Sequence, residues 1–185
     1  VPLARLLQFL RNPCRFLLRH RLGVVLPRAD EPLQDDEPFL FDVPRRSALA
    51  ARLLPAMLDG ADLDATRNLA LAGTEVPAGA FGLDALEREL ASLQRFAQQA
   101  REVTAAPLLG PHAAALALEV DGLELRLHGP MADLRAAGLV RARYDDLRAT
   151  DVLEAWLHHL LLCADPPPGA SAQTRWLARD QTLVL

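Results

Sequence analysis

The side chains of this chain that could do chemistry gather between positions 119 and 163. Five carboxylates (Glu119, Asp121, Asp133, Asp145 and Asp146) precede the strongly apolar segment ATDVLEAWLHHLLLCA. Converging carboxylates could hold divalent cations and cleave a phosphodiester. Among them, however, the strand-like run Gly138-Leu139-Val140-Arg141-Ala142-Arg143-Tyr144 places two arginines at alternate positions. Alternate residues of a strand share a face, and a guanidinium stays protonated with no lone pair to offer a cation. A metal centre built here would meet two fixed positive charges. Asp145, Asp146 and Asp151 have a simpler use as loop and helix-start residues, where anions favour the positive end of a helix.

Other chemistries fail on residue type. All 20 basic residues are arginine, so no lysine is available for a phosphate-binding loop, a Schiff base or the support of an attacking water. His159 and Cys163 stand one helical turn apart with His158 beside them, but zinc needs about four converging ligands and no second pair is present. The pattern reads instead as a core cysteine next to a partly exposed histidine. Neither Gly-x-Ser-x-Gly nor Gly-x-Gly-x-x-Gly occurs. The two cysteines, Cys14 and Cys163, fall in different helices and read as buried free thiols of a reducing compartment. No cofactor is implied.

The elements that must position these residues follow from periodicity. Residues 3–10 and 14–22 read as two helices separated by Asn12-Pro13, a capping residue followed by proline at the first helical position. On the second, Cys14, Leu17, Leu18 and Leu22 share a face that should be buried. Arg11, Arg15, Arg19 and Arg21 make a basic stretch with Arg15 and Arg19 one turn apart. That stretch suits phosphate tracking, a protein partner, or pairing with the acidic loop Pro27 to Pro38.

Val24-Val25-Leu26 reads as extended and Phe39-Leu40-Phe41 as a short strand. Helices are expected from Asp42 to Leu58, bent or broken near Pro55, from Leu63 to Leu71, and from Leu83 to Val103. Asp121-Gly122 between two apolar runs predicts a β-hairpin. The arginine-bearing strand, a helix over 150–163, the stiff Pro166-Pro167-Pro168-Gly169 link and a last hairpin (174–178 with 182–185) complete the chain. Helices first, then strands and a helix, predict an α/β domain with a mixed sheet: one domain over 1–185, mostly helical to 110 and sheet-bearing from 111.

Composition bounds the rest. A chain of 185 residues suits one domain, and a net charge of -4 with pI near 5.7 argues against an autonomous polyanion binder. No apolar run reaches membrane-spanning length. The start at Val1 without a signal pattern suits an excised fragment of a cytoplasmic protein.

Four segments occurring in order, NPCRFLLRHRLGVVL, DDEPFLFD, GTEVPAGAFG and ATDVLEAWLHHLLLCA, carry a resemblance over nearly the whole chain. The chain resembles the C-terminal domain of the gamma chain (RecC) of exodeoxyribonuclease V, the bacterial RecBCD helicase–nuclease. The resemblance implies a restriction-endonuclease-like fold, a mixed β-sheet flanked by helices, whose catalytic residues have been lost. Active nucleases of that fold carry Gly-x-x-Asp and then Asp-x-Lys or Glu-x-Lys. Here Ala132 stands at the first carboxylate, with Asp133 one residue out of step, and Arg141 and Arg143 stand at the acid and lysine. Active relatives also carry Gln and Tyr one turn apart on the next helix, near Glu154 and His158 of this chain. Some relatives of the fold hold a four-cysteine iron–sulfur cluster, which two cysteines cannot complete.

The implied role is a non-catalytic scaffold that contacts the beta and alpha subunits and guides a duplex DNA end in double-strand-break repair and recombination. The DNA- or partner-binding candidates are Arg11, Arg15, Arg19, Arg21, Arg141 and Arg143. A Mg-dependent deoxyribonuclease and a pure assembly domain without DNA contact are the alternatives. The Asp121-Gly122 hairpin has no aromatic at its tip to stack a base and reads as an ordinary sheet hairpin.

Overall fold

The computed structural model of the chain describes residues 1–25 and 41–185. The acidic loop and the strand expected at Phe39-Leu40 lie outside the described residues, and Phe41 is irregular and packs on the helical core.

Helix α1 (Leu3–Arg11) is followed at once by α2 (Pro13–Arg21), whose cap Asn12 accepts a hydrogen bond from the Arg15 backbone N–H at 2.9 Å. Three helices come next: α3 (Val43–Leu58), α4 (Leu63–Leu71) and α5 (Ala80–Val103). Asp42 and Asp62 cap α3 and α4 by accepting from the backbone N–H groups of Arg45 and Ala65. Pro55 does not break α3: it lies in the last turn, where few residues follow it. Helix α5 begins three residues earlier than its apolar period suggests, because Gly79 turns the chain with φ 86°.

Among the described residues, the strands form two sheets. β1 (His112–Val120) and β2 (Leu123–Met131) pair as an antiparallel hairpin on their own. Its turn residues Asp121 and Gly122 take φ of 51° and 75°, as a type I′ turn requires. The second sheet is mixed and runs β3 (Leu134–Arg135), β4 (Gly138–Ala142), β5 (Thr174–Leu177), β6 (Thr182–Val184). Only β4 and β5 are parallel, and the crossover between them contains α6 (Ala149–Ala164). The architecture is mixed α/β.

Two buried clusters fill it. One joins Leu49, Leu53, Leu86, Leu90, Leu93 and Phe96 of α3 and α5 to Tyr144 and Leu177. The other joins Leu3 and Leu7 of α1 to Met131, Leu134, Leu139, Leu161 and Leu162. Burial departs from the sequence expectation at the cysteines and on α2. Both cysteines are exposed, and so are Leu17 and Leu22 of the supposed core face of α2. No residue of α2 is buried, because α1 meets the core through Leu3 and Leu7 and holds α2 outside it.

An arginine–carboxylate cleft at the strand–helix junction

The cleft is built on β4. Gly138 opens the strand with φ 109°, and a Cβ there would stand 2.0 Å from the Gln173 carbonyl oxygen. Only glycine lets β4 approach the chain entering β5 this closely. Strand alternation then puts Leu139, Arg141 and Arg143 on one side, with Leu139 in the core and the arginines toward α6.

Each arginine finds a carboxylate on or near α6. Arg141 Nη1 donates to Glu154 Oε1 at 2.7 Å, and the other oxygen of Glu154 accepts from Arg11 at the end of α1. Arg141 Nε also lies 3.5 Å from Asp133 Oδ2. Asp133 reaches it from the bend between β2 and β3, where it takes φ 60°. Arg143 donates to Asp151 Oδ2 at 2.6 Å, and that oxygen also accepts from the Arg148 backbone N–H at 3.0 Å, fixing the first turn of α6. Both guanidinium groups lie over the buried Trp176 ring, at 5.3 and 5.5 Å from its centroid.

The cleft holds about 600 Å³ and is also lined by Arg135, which donates to the carbonyls of Thr104 and Ala106 at 2.6 and 2.7 Å. Burial raises the pKa of Asp151, but the hydrogen bonds from Arg143 and Arg148 outweigh it and hold the carboxyl below its usual value. His158 is buried beneath Glu154, whose carbonyl lies 2.8 Å from its Nδ1. Burial, together with the charge of Arg141, holds this imidazole below the usual histidine range. Burial likewise pushes the Tyr144 phenol up to about 12, so it stays neutral.

The structure sorts the candidate residues into groups. Arg11, Arg141 and Arg143 meet in the cleft, whereas Arg15 and Arg19 line a separate groove of about 220 Å³ that Arg11 also borders. Arg21 is exposed at the end of α2 and lines neither. Ala132 is exposed in the turn after β2. Asp145 bonds Arg148 at 3.0 Å and Asp146 bonds Arg179 at 2.5 Å, while Glu119 and Asp121 sit at the tip of the hairpin. Cys163 Sγ lies 3.6 Å from His159 Nε2, and His159 Nδ1 lies 3.2 Å from Thr174 Oγ1. Among the described residues, no group of three or more His, Cys, Asp or Glu side chains converges as a metal site. Sequence reasoning missed Trp176 and Arg135, and it took Glu154 for a departure from a motif rather than for the shared counter-ion. Four-residue spacing on α6 would have aligned Glu154 with His158, but only tertiary packing brings Arg11 to it.

The site is thus a cleft of paired arginines and carboxylates at the strand–helix junction of a mixed α/β domain. The family model described as RecC C-terminal domain matches residues 1–181, and the chain belongs to that family. It is similar to the RecBCD enzyme subunit RecC of Escherichia coli (strain K12), 28% identical over 171 residues. That match covers 92% of this chain but 15% of the length of that subunit. No helix among the described residues is long and apolar enough to cross a membrane.

Proposed function

We propose that this chain is a catalytically silent, restriction-endonuclease-like domain of the gamma subunit of bacterial exodeoxyribonuclease V. In this reading it scaffolds the beta and alpha subunits and guides a duplex DNA end in the cytoplasm during break repair and recombination. The observation that carries the reading is the Arg141–Glu154 ion pair. It lies in the strand–helix unit where an active relative would present a metal-binding acid and a lysine, and it joins strand to helix without a metal. Residues 1–185 act as one domain in this account, supported by Tyr144 and Leu177 lying in the same buried cluster as α3 and α5.

DNA would be held by charge alone. Arg143 is the most exposed of the cleft pair, with 44% of its side chain accessible against 20% for Arg141. The test is binding of a duplex end by the whole subunit across a salt series. Weak binding that falls with salt, and falls further in Arg143→Ala, is expected. A subunit that joins its partners but shows no affinity for DNA at low salt would favour the second reading, pure assembly. The exposed apolar residues of α2 give that reading its support.

A further inference from the structure

Helix α2 is built to form but not to be buried. Asn12 caps it, Pro13 pre-sets its first turn, and Phe16 fastens it to α1 by edge-on contact with Phe9 at 5.5 Å. A nine-residue helix is not stable in water on propensity alone. It nevertheless carries the exposed Cys14, Leu17 and Leu22 and the half-buried Leu18 at the i, i+3, i+4, i+8 spacing of a helix that anchors in a groove. Leu17 is 47% exposed and Leu22 69%, and the exposed run continues through Val24 and Val25. The flanks are Arg15, Arg19 and Arg21, and no acidic residue occurs anywhere in positions 1–25.

We infer that α2, with Leu22 to Val25, is a docking helix for a groove on a partner subunit, apolar along its floor and acidic at its rim. The inference rests on the proposed membership of a multi-subunit complex. Charge complementarity fixes the rim, since a surface with three exposed arginines and no acid selects carboxylates. The aliphatic row fixes the floor, because a phosphate backbone offers nothing apolar to cover it. The same row argues against a bilayer. The apolar face of α1 is spent inside the domain through Leu3 and Leu7, leaving α2 too short a patch to hold a membrane. Arg11 pairs with Glu154 in the cleft and also borders, with Arg15 and Arg19, the groove along α2.

The experiment titrates the whole gamma subunit with purified beta and alpha subunits, comparing wild type, Leu17→Asp, and Arg15→Glu with Arg19→Glu. Thermal melting of each variant checks the fold, and binding to duplex DNA and to anionic vesicles is measured alongside. Both variants are expected to melt like wild type and to lose assembly affinity about tenfold or more. The arginine variant should lose most at low salt. Wild-type assembly that both variants match would overturn the inference alone, as would a lowered melting temperature with assembly intact, which would place the groove within the gamma subunit. Loss of DNA or vesicle binding without loss of assembly would overturn it in favour of those ligands. A wild-type subunit that does not assemble would overturn the underlying reading, and the inference with it.

Discussion

Glu154 places one carboxylate between two arginines from distant parts of the chain, bonding Arg141 of β4 at 2.7 Å through Oε1 and Arg11 of α1 through Oε2. The first helix, the arginine strand and α6 are therefore tied by a single side chain that is only 15% exposed. Removing one partner of a largely buried pair costs more than the pair itself contributes, because the remaining charges lose their solvation substitute.

Replacing Glu154 with Gln should therefore destabilise the domain by about 1–3 kcal/mol, a range that allows for the half-exposed Arg11. The same change unmasks two cations in the cleft. Affinity for a duplex end should rise, and its dependence on salt should steepen by about one unit of slope. Denaturant melts and a salt series on Glu154→Gln check both.

Asp151 gives a pH signature. Its folded-state pKa is lowered, so its contribution to stability is full above the ordinary carboxylate value and is lost as pH falls through the folded value. Asp151→Asn should lower stability at neutral pH by about 1–3 kcal/mol and flatten the acid limb below about pH 4. Melting temperatures from pH 7 down to 3, wild type against variant, read this directly.

His158 should act in a higher pH window. Burial lowers its pKa, so the unfolded chain binds the proton more readily than the folded one. Stability is then full above about pH 6.5 and declines as pH falls below it. His158→Gln should reduce that decline between pH 7 and 5, and an NMR titration of the imidazole should place its midpoint below 6.5.

Gly138 is a sharper structural test. Its positive φ and the two carbonyls facing it, Gln173 at 2.0 Å and Ser171 at 2.8 Å from a would-be Cβ, leave alanine no place. Gly138→Ala should cost about 3 kcal/mol or more, whereas alanine at Gly122, in an open turn, should cost about 1–2 kcal/mol. Urea titrations of the two variants side by side rank them.

Much of the local structure was legible in the sequence. The Leu63–Leu71 helix, the Asp121-Gly122 hairpin and the last hairpin were carried by caps, turn residues and period. The splitting of the strands into two sheets was not, because the hairpin's pairing partners are set by packing rather than by local pattern. The apolar row of α2 reads as core from the sequence because periodicity marks an apolar face without saying what covers it. Arg141 and Arg143 were visible as a pair, but their counter-ions lie 13 and 8 residues away, at positions that only the strand–helix crossover brings close.

Incubating the purified gamma subunit with linear duplex and single-stranded DNA, in Mg or Mn and in EDTA, asks whether a cleft closed by its own ion pairs can cut. No difference between metal and EDTA is expected at any protein concentration. Metal-dependent cutting that copurifies with the subunit and disappears in an Asp133→Asn variant would contradict it.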